Sequence, residues 1–310
     1  MTTDLSEQLV DALNGAYGVH PGHRAAHAKG VLCAATFTAS PSAAAISRAV
    51  HFDGVPVRAH VRFSNGGGDP TVSDATRDAR GIAVKLYLPD GSTTDVIGIT
   101  LPVFFTRTPE DLMEFNIARR PDPDTGALDL AKVGAFLEQH PETVPAVTAA
   151  MTMPIPASYA RLAYHALHTF KFVAADGTVT PARYHFVPAE GEASITDDEA
   201  AALGASYLRD ELESRLENGP AVFHLELELA AAGDPLDDPT ALWSDRERVR
   251  VGDLSITGLA FDRERDGDVL VFDPIRVTDG IELSDDPILH ARSGAYRASV
   301  SRRTARPWDG

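Results

Sequence analysis

Two segments near opposite ends of the chain carry residue types that can do chemistry. Arg292 and Tyr296 stand four residues apart in Arg292-Ser293-Gly294-Ala295-Tyr296. On a helix they share a face. A phenol with a pKa near ~10 is a poor metal ligand until it ionises. A ferric ion and a neighbouring guanidinium both favour the phenolate. Such an anionic axial ligand lowers the reduction potential of the iron and stabilises its higher oxidation states. Arg303 lies eleven residues beyond Arg292, close to three full turns, and joins the same face.

The second segment holds Arg24 and His27-Ala28-Lys29-Gly30. Imidazole suits general acid–base work near neutral pH, so His27 is the candidate to move a proton between the two oxygens of a peroxide. Ser64, in Val61-Arg62-Phe63-Ser64-Asn65, could orient that imidazole by a hydrogen bond. Arg24 and Arg62 offer guanidiniums that match carboxylates. Each residue alone also fits a structural role. Tyr296 reads equally as a core tyrosine bonded to an arginine, His27 and Ser64 as satisfied surface or strand residues, and the arginines as ion-pair partners. Zinc is a poor reading: His20, His23 and His27 cluster, but there is no HExxH and no cysteine pair.

The elements that must hold these groups are mixed. Residues 4 to 15 read as a short helix, closed by Pro21-Gly22. Residues 30 to 105 read as strands, interrupted by a small helix from Pro41 to Val50 and a turn at Pro89-Asp90-Gly91-Ser92. Helices are expected from Pro109, with Thr108 as its cap, and over Leu128–His140 and Ser158–Leu167. A hairpin follows over 169–187, then a helix from Thr196 to about 217. Ala221–Leu229 alternates as a half-buried strand, 270–275 is a short apolar run, and 288–303 is helical. Pro307 and Gly310 mark a frayed end. The absence of regular βα alternation argues against a Rossmann sheet. Gly66-Gly67-Gly68 lacks a nucleotide-loop framework and reads as a flexible turn. One α+β domain spanning 1–310 is expected.

Composition narrows the function. Forty-five acids against 28 Lys and Arg give a formal charge of -17, which argues against nucleic acid and anionic membrane surfaces as partners. Cys33 is the one cysteine, so no intrachain disulfide can form and a reducing, cytoplasmic setting is expected. Within Val31-Leu32-Cys33-Ala34-Ala35 it reads as an inert core thiol. The first residues do not form a signal peptide, and no apolar run is long enough to span a bilayer.

From about residue 20 to 304 the chain resembles the haem catalase family, in its short forms. The resemblance rests on Arg24-x-x-His27-Ala-Lys-Gly, Val61-Arg62-Phe63-Ser64, Arg77-Asp-Ala-Arg-Gly-Ile-Ala-Val-Lys and Gly98-Ile-Thr-Leu-Pro102-Val-Phe-Phe105. It continues through Phe272-Asp273-Pro274, Gly280-Ile281-Glu282 and Arg292-x-x-x-Tyr296, with Arg303 seven residues later, all in family order. It implies an eight-stranded antiparallel β-barrel with surrounding helices. Haem b (iron protoporphyrin IX) would lie between a distal wall and a proximal helix, with Tyr296 on the iron and Arg292 beside it. His27 and Ser64 would act on peroxide, and Arg24, Arg62 and Arg303 would meet the propionates. The implied reaction starts when peroxide oxidises ferric haem to a ferryl–porphyrin radical.

Two positions depart from the family. Its distal asparagine matches Ile99, with its neighbour at Thr100, and a haem-covering phenylalanine matches Leu112. Losing a buried donor weakens peroxide orientation. These departures point to impaired hydrogen peroxide disproportionation and to organic hydroperoxides or a small reducing donor as partners. The other readings are a hydroperoxide-rearranging enzyme resembling allene oxide synthase and a non-catalytic haem-binding barrel. The short lead-in and early end suggest a monomer or homodimer.

Overall fold

The computed structural model describes residues 4–261 and 269–304. The expected frayed end at Pro307 and Gly310 lies outside them. The early elements are α1 (Leu5–Tyr17), β1 (Gly30–Ala39), α2 (Ala43–Ile46), a 3-10 turn η1 (Val50–Phe52), β2 (Val57–Asn65), β3 (Arg80–Tyr87) and β4 (Thr93–Ile99). Three helices follow, α3 (Pro109–Ala118), α4 (Leu130–Gln139) and α5 (Val144–Thr152), with a 3-10 turn, η2, at Pro141–Thr143 between the last two. Then come β5 (Ile155–Pro156), β6 (Tyr164–His165), β7 (Phe170–Val173), β8 (Val179–Pro188) and β9 (Ser194–Ile195). The chain continues through α6 (Asp197–Ala201), α7 (Tyr207–Glu217), β10 (Ala221–Leu229), β11 (Arg248–Leu259), β12 (Ile281–Leu283) and α8 (Pro287–Thr304).

The main sheet runs β10-β11-β1-β2-β3-β4-β6-β8, and β8 pairs again with β10. That second pairing closes an antiparallel barrel of eight strands, and helices surround it. Closure removes the exposed edges that an open sheet would leave. The inward residues alternate with outward ones. Val61, Phe63, Ile82, Val84, Tyr164, Phe186 and Phe223 fill the interior. Phe63 stacks on Tyr159 at 5.6 Å and meets Phe223 at 5.9 Å. Cys33 is fully buried in this core, and burial pushes its thiol pKa up to about 12.

Local signals set most helix ends. The Thr108 hydroxyl accepts from Asp111 N, and Thr196 with Glu199 forms a capping box. Asp286 Oδ1 accepts from Ile288 N and Leu289 N, which starts α8.

Three expectations are corrected. Ser158–Leu167 is not a helix. A 3-10 turn at Tyr159–Arg161 leads into β6, because Tyr164 pairs with Phe186 and points into the core. The helix expected over Thr196–217 is two helices, broken around Leu203-Gly204, where glycine lowers helix propensity. The extended run after Asp95 ends as a strand at Ile99, and Leu101 and Val103 are buried in the connection that follows.

Candidate active site

The strands bring His27 and Ser64 together and hold them closely. His27 Nδ1 lies 3.0 Å from Ser64 Oγ. Ser64, near the end of β2, lies opposite Gly81 of β3, and a Cβ on Gly81 would stand 2.8 Å from both His27 Nδ1 and Ser64 Oγ. Only glycine leaves room for the pair. His27 adopts φ 56, an unusual conformation for a residue with a side chain. Its N–H donates to Gly66 O, and Ala28 N donates to Gly67 O. Arg62 Nη1 and Nη2 donate to the carbonyls of His27 and Ala28 at 2.9 and 3.1 Å. These contacts over-determine the strained conformation, as strained site residues require. The glycine run 66–68 is therefore a fitted cradle rather than a flexible turn: a Cβ on Gly68 would sit 2.2 Å from Ala25 O.

On the opposite wall, Arg292 Nε donates to the Tyr296 hydroxyl at 3.0 Å, and Arg292 Nη2 donates to the same oxygen. Behind it stand two residues that the sequence reading missed. Arg292 Nη1 is 2.9 Å from His168 Nε2, and His168 Nδ1 is 2.6 Å from Asp286 Oδ2. A guanidinium only donates, so His168 Nε2 accepts and Nδ1 carries the proton toward Asp286. Burial depresses the His168 pKa, with the Asp286 hydrogen bond and charge opposing, which agrees with a neutral imidazole. Asp286 uses one oxygen to cap α8 and the other to fix His168. The one readable signal was an aspartate immediately before Pro287 at a helix start.

All seven residues singled out from the sequence line one cleft of about 800 Å³, part of it open to solvent. His27 and Ser64 lie on one side, Arg292 and Tyr296 on the other, with Arg24, Arg62 and Arg303 around them. Val10, Leu13, Ile97, Val271 and Phe272 supply apolar walls. Arg24 also donates to Leu270 O at 3.1 Å. The segment bearing Val271 and Phe272 is anchored below by Asp95, which accepts from Asp273 N at 2.8 Å and pairs with Lys85 at 2.6 Å.

His27 is neutral at working pH. Its pKa is pushed down to about 3 by burial first, then by the charges of Arg62, Arg292 and Arg24. A cleft ringed by guanidiniums, inside a chain of net charge -17, is built for an anion.

Ile99 lies directly opposite Gly81 in the β3–β4 ladder, so its side chain shares the sheet face that carries Ser64. Thr100 does not replace the missing amide. Its Oγ1 accepts from Arg80 N at 2.9 Å and donates to Met153 Sδ at 3.4 Å. Leu112, in the first turn of α3, does not line the cleft.

Known proteins share this chain's sequence and fold. The chain is 43% identical over 299 residues to a catalase-related peroxidase of Mycolicibacterium paratuberculosis, covering 96% of this chain and 94% of the relative. A catalase-related peroxidase of Synechococcus elongatus is 36% identical, with 96% and 88% covered. A solved bacterial catalase superposes with a TM-score of 0.81 at 26% identity, over 92% of this chain and 58% of that one. The catalase family model matches residues 19–309, and the chain belongs to the haem catalase family.

Proposed function

We propose that the protein is a haem-dependent peroxidase that acts on hydrogen peroxide or organic hydroperoxides and takes electrons from a small donor. The observation that carries this is the arrangement of one cleft: an oriented, neutral His27 faces a phenol oxygen that accepts two guanidinium N–H groups of Arg292. The relatives from Mycolicibacterium paratuberculosis and Synechococcus elongatus are both catalase-related peroxidases by name.

Haem b fits the cleft on the chemistry of its lining. Tyr296 offers a phenol oxygen for ferric iron, and apolar side chains such as Val271 and Phe272 suit a porphyrin face. Arg24, Arg62 and Arg303 supply the charge that two propionates require. Bound haem would supply the ferric iron that exchanges electrons with the peroxide.

The residues do the rest. With Nδ1 turned to Ser64, His27 leaves Nε2 for the cleft. That nitrogen can take the proton from one peroxide oxygen and return it to the other, which makes water the leaving group. Arg62 positions His27 by holding its carbonyl. Arg292 holds the Tyr296 oxygen through two donated hydrogen bonds, and the Asp286–His168 pair keeps Arg292 in place. Ile99 and the turned-away Thr100 leave His27 and Ser64 as the polar groups on this wall. That favours reduction of peroxide by a donor over disproportionation, which needs a second peroxide oriented for oxidation.

The deciding experiment loads the protein with haem and records absorption before and after peroxide while an electrode follows dioxygen. A transient oxidised spectrum that a donor discharges, with little dioxygen, is expected. Sustained dioxygen release would make the protein a catalase. A fatty-acid hydroperoxide converted to an epoxide rather than an alcohol would make it a rearranging enzyme. No reaction with any peroxide would leave a haem-binding barrel.

A further inference from the structure

Away from the cleft, three side chains from three elements converge. Asp111 lies in the first turn of α3, His140 caps the end of α4, and Glu142 sits in η2. One donor atom from each lies within 4.8 Å of the other two. His140 Nδ1 is 3.5 Å from Glu142 Oε1, and these side chains are 18% and 16% exposed.

The arrangement is electrostatically incomplete. Two carboxylates at this separation repel unless a cation lies between them. Among the described residues no Lys or Arg pairs with either carboxylate within 4.0 Å.

The frame is also fixed rather than loose. The His140 ring stacks on Phe136 with centroids 4.2 Å apart and planes 16° apart. Phe136 packs on Phe115 of α3 at 5.4 Å. His140 N donates to Phe136 O, and its carbonyl accepts from Thr143 N, which sets the start of η2. Asp111 N is tied to Thr108 Oγ1. The backbones that carry the donors are therefore held in place. Donor atoms within 4.8 Å of one another lie near the separations that a common ion at about 2.0–2.2 Å sets.

We propose that Asp111, His140 and Glu142 bind a divalent first-row transition cation. One imidazole nitrogen and two carboxylate oxygens suit Zn(II) or Mn(II), and the lack of a thiolate disfavours Cu(I). Water completes the coordination from the exposed side. The ion neutralises both carboxylates and clamps α3 to the α4–η2 junction.

The test uses chelator-treated, haem-loaded protein dialysed against Zn(II) and, separately, Mn(II), with bound metal measured by mass spectrometry and thermal stability followed in parallel. The wild-type protein is expected to bind one equivalent more than His140→Ala. Asp111→Asn and Glu142→Gln, which keep side-chain shape, should weaken binding at least tenfold. The metal-dependent rise in Tm should vanish in all three. Equal stoichiometry and affinity in wild type and the two isosteric variants would overturn the proposal, as would no binding in wild type. If His140→Ala fails to fold, the isosteric pair decides. The readout is metal and Tm, so neither result depends on the peroxidase reading.

Discussion

Gly81→Ala tests whether steric clearance aims the acid–base histidine. The new methyl would sit 2.8 Å from His27 Nδ1 and from Ser64 Oγ, and 3.0 Å from His27 Cε1. Those contacts are shorter than real Cβ atoms tolerate, so a neighbour must move. The strand cannot easily give way, because β3 is paired along its length with both β2 and β4. Overpacking of this kind costs about 1–3 kcal/mol. Relief by rotating the imidazole would break a hydrogen bond worth about 0.5–1.5 kcal/mol net. If that strain is relieved at His27, the barrier to peroxide activation rises by a similar amount, about 5–140-fold in rate at roughly 1.4 kcal/mol per factor of ten. Stopped-flow mixing of haem-loaded enzyme with hydrogen peroxide measures the rate directly. Gly258→Ala is the control, since its Cβ meets nothing within 4 Å. A Gly81→Ala rate equal to wild type, with the haem spectrum intact, would refute the claim that this clearance positions His27.

Other perturbations test the remaining parts. Tyr296→Phe should weaken haem retention and change the absorption spectrum; an unaltered spectrum removes Tyr296 as the iron ligand. Ile99→Asn restores an amide donor beside Gly81 and should raise dioxygen yield per peroxide at least severalfold, read on an oxygen electrode; an unchanged yield means Ile99 does not set the balance. His168→Phe strips Arg292 of its acceptor and leaves Asp286 facing an apolar ring, so the spectrum of the bound haem should shift while Arg292→Lys shifts it similarly; no shift in either would detach this relay from the iron. His27, His51, His165, His168 and His185 all have pKa values lowered, by burial first. Below the unfolded value near ~6.5 the unfolded chain takes up protons that the folded chain refuses, so this stability is lost as pH falls from about 6.5 toward 4, by up to ~1.4 kcal/mol per pH unit for each histidine. The Tm should therefore drop between pH 7 and pH 5, and a Tm that rises over that interval would contradict the assignment.

How much of this was legible in the sequence depends on the range of the interaction that decides each feature. Arg292, Tyr296 and Arg303 obey helical spacing, so one helix settles that they share a face. Barrel strands such as Ala221–Leu229 show their period of two directly. The helix expected over Ser158–Leu167 failed because the fate of that segment is set across the barrel. The same apolar spacing suits a helix, but Tyr164 gains more by pairing with Phe186 and filling the interior. The glycine run 66–68 failed for a related reason. Its composition says only that the backbone is permissive, while its use depends on how closely Ala25 and Asp78 approach it.

The site shows the same division. Residues that touch the cleft were legible because their chemistry is specific. Those that support them were not, because histidine and aspartate have many uses. Asp286 is the clearest case. Before a proline at a helix start it is fully accounted for as a cap, and nothing local hints that its second oxygen reaches a histidine 118 positions away. The coupling has a consequence. Because one carboxylate starts α8 and fixes His168, any change at Asp286 alters where Tyr296 sits as well as how its arginine is held. Asp286→Asn should keep much of the cap, since an amide oxygen can still accept from Ile288 N, while removing the charge that favours the His168 Nδ1–H tautomer. Haem affinity close to wild type with a shifted spectrum would separate the two roles, and a parallel loss of both would show that capping and electrostatics act as one unit.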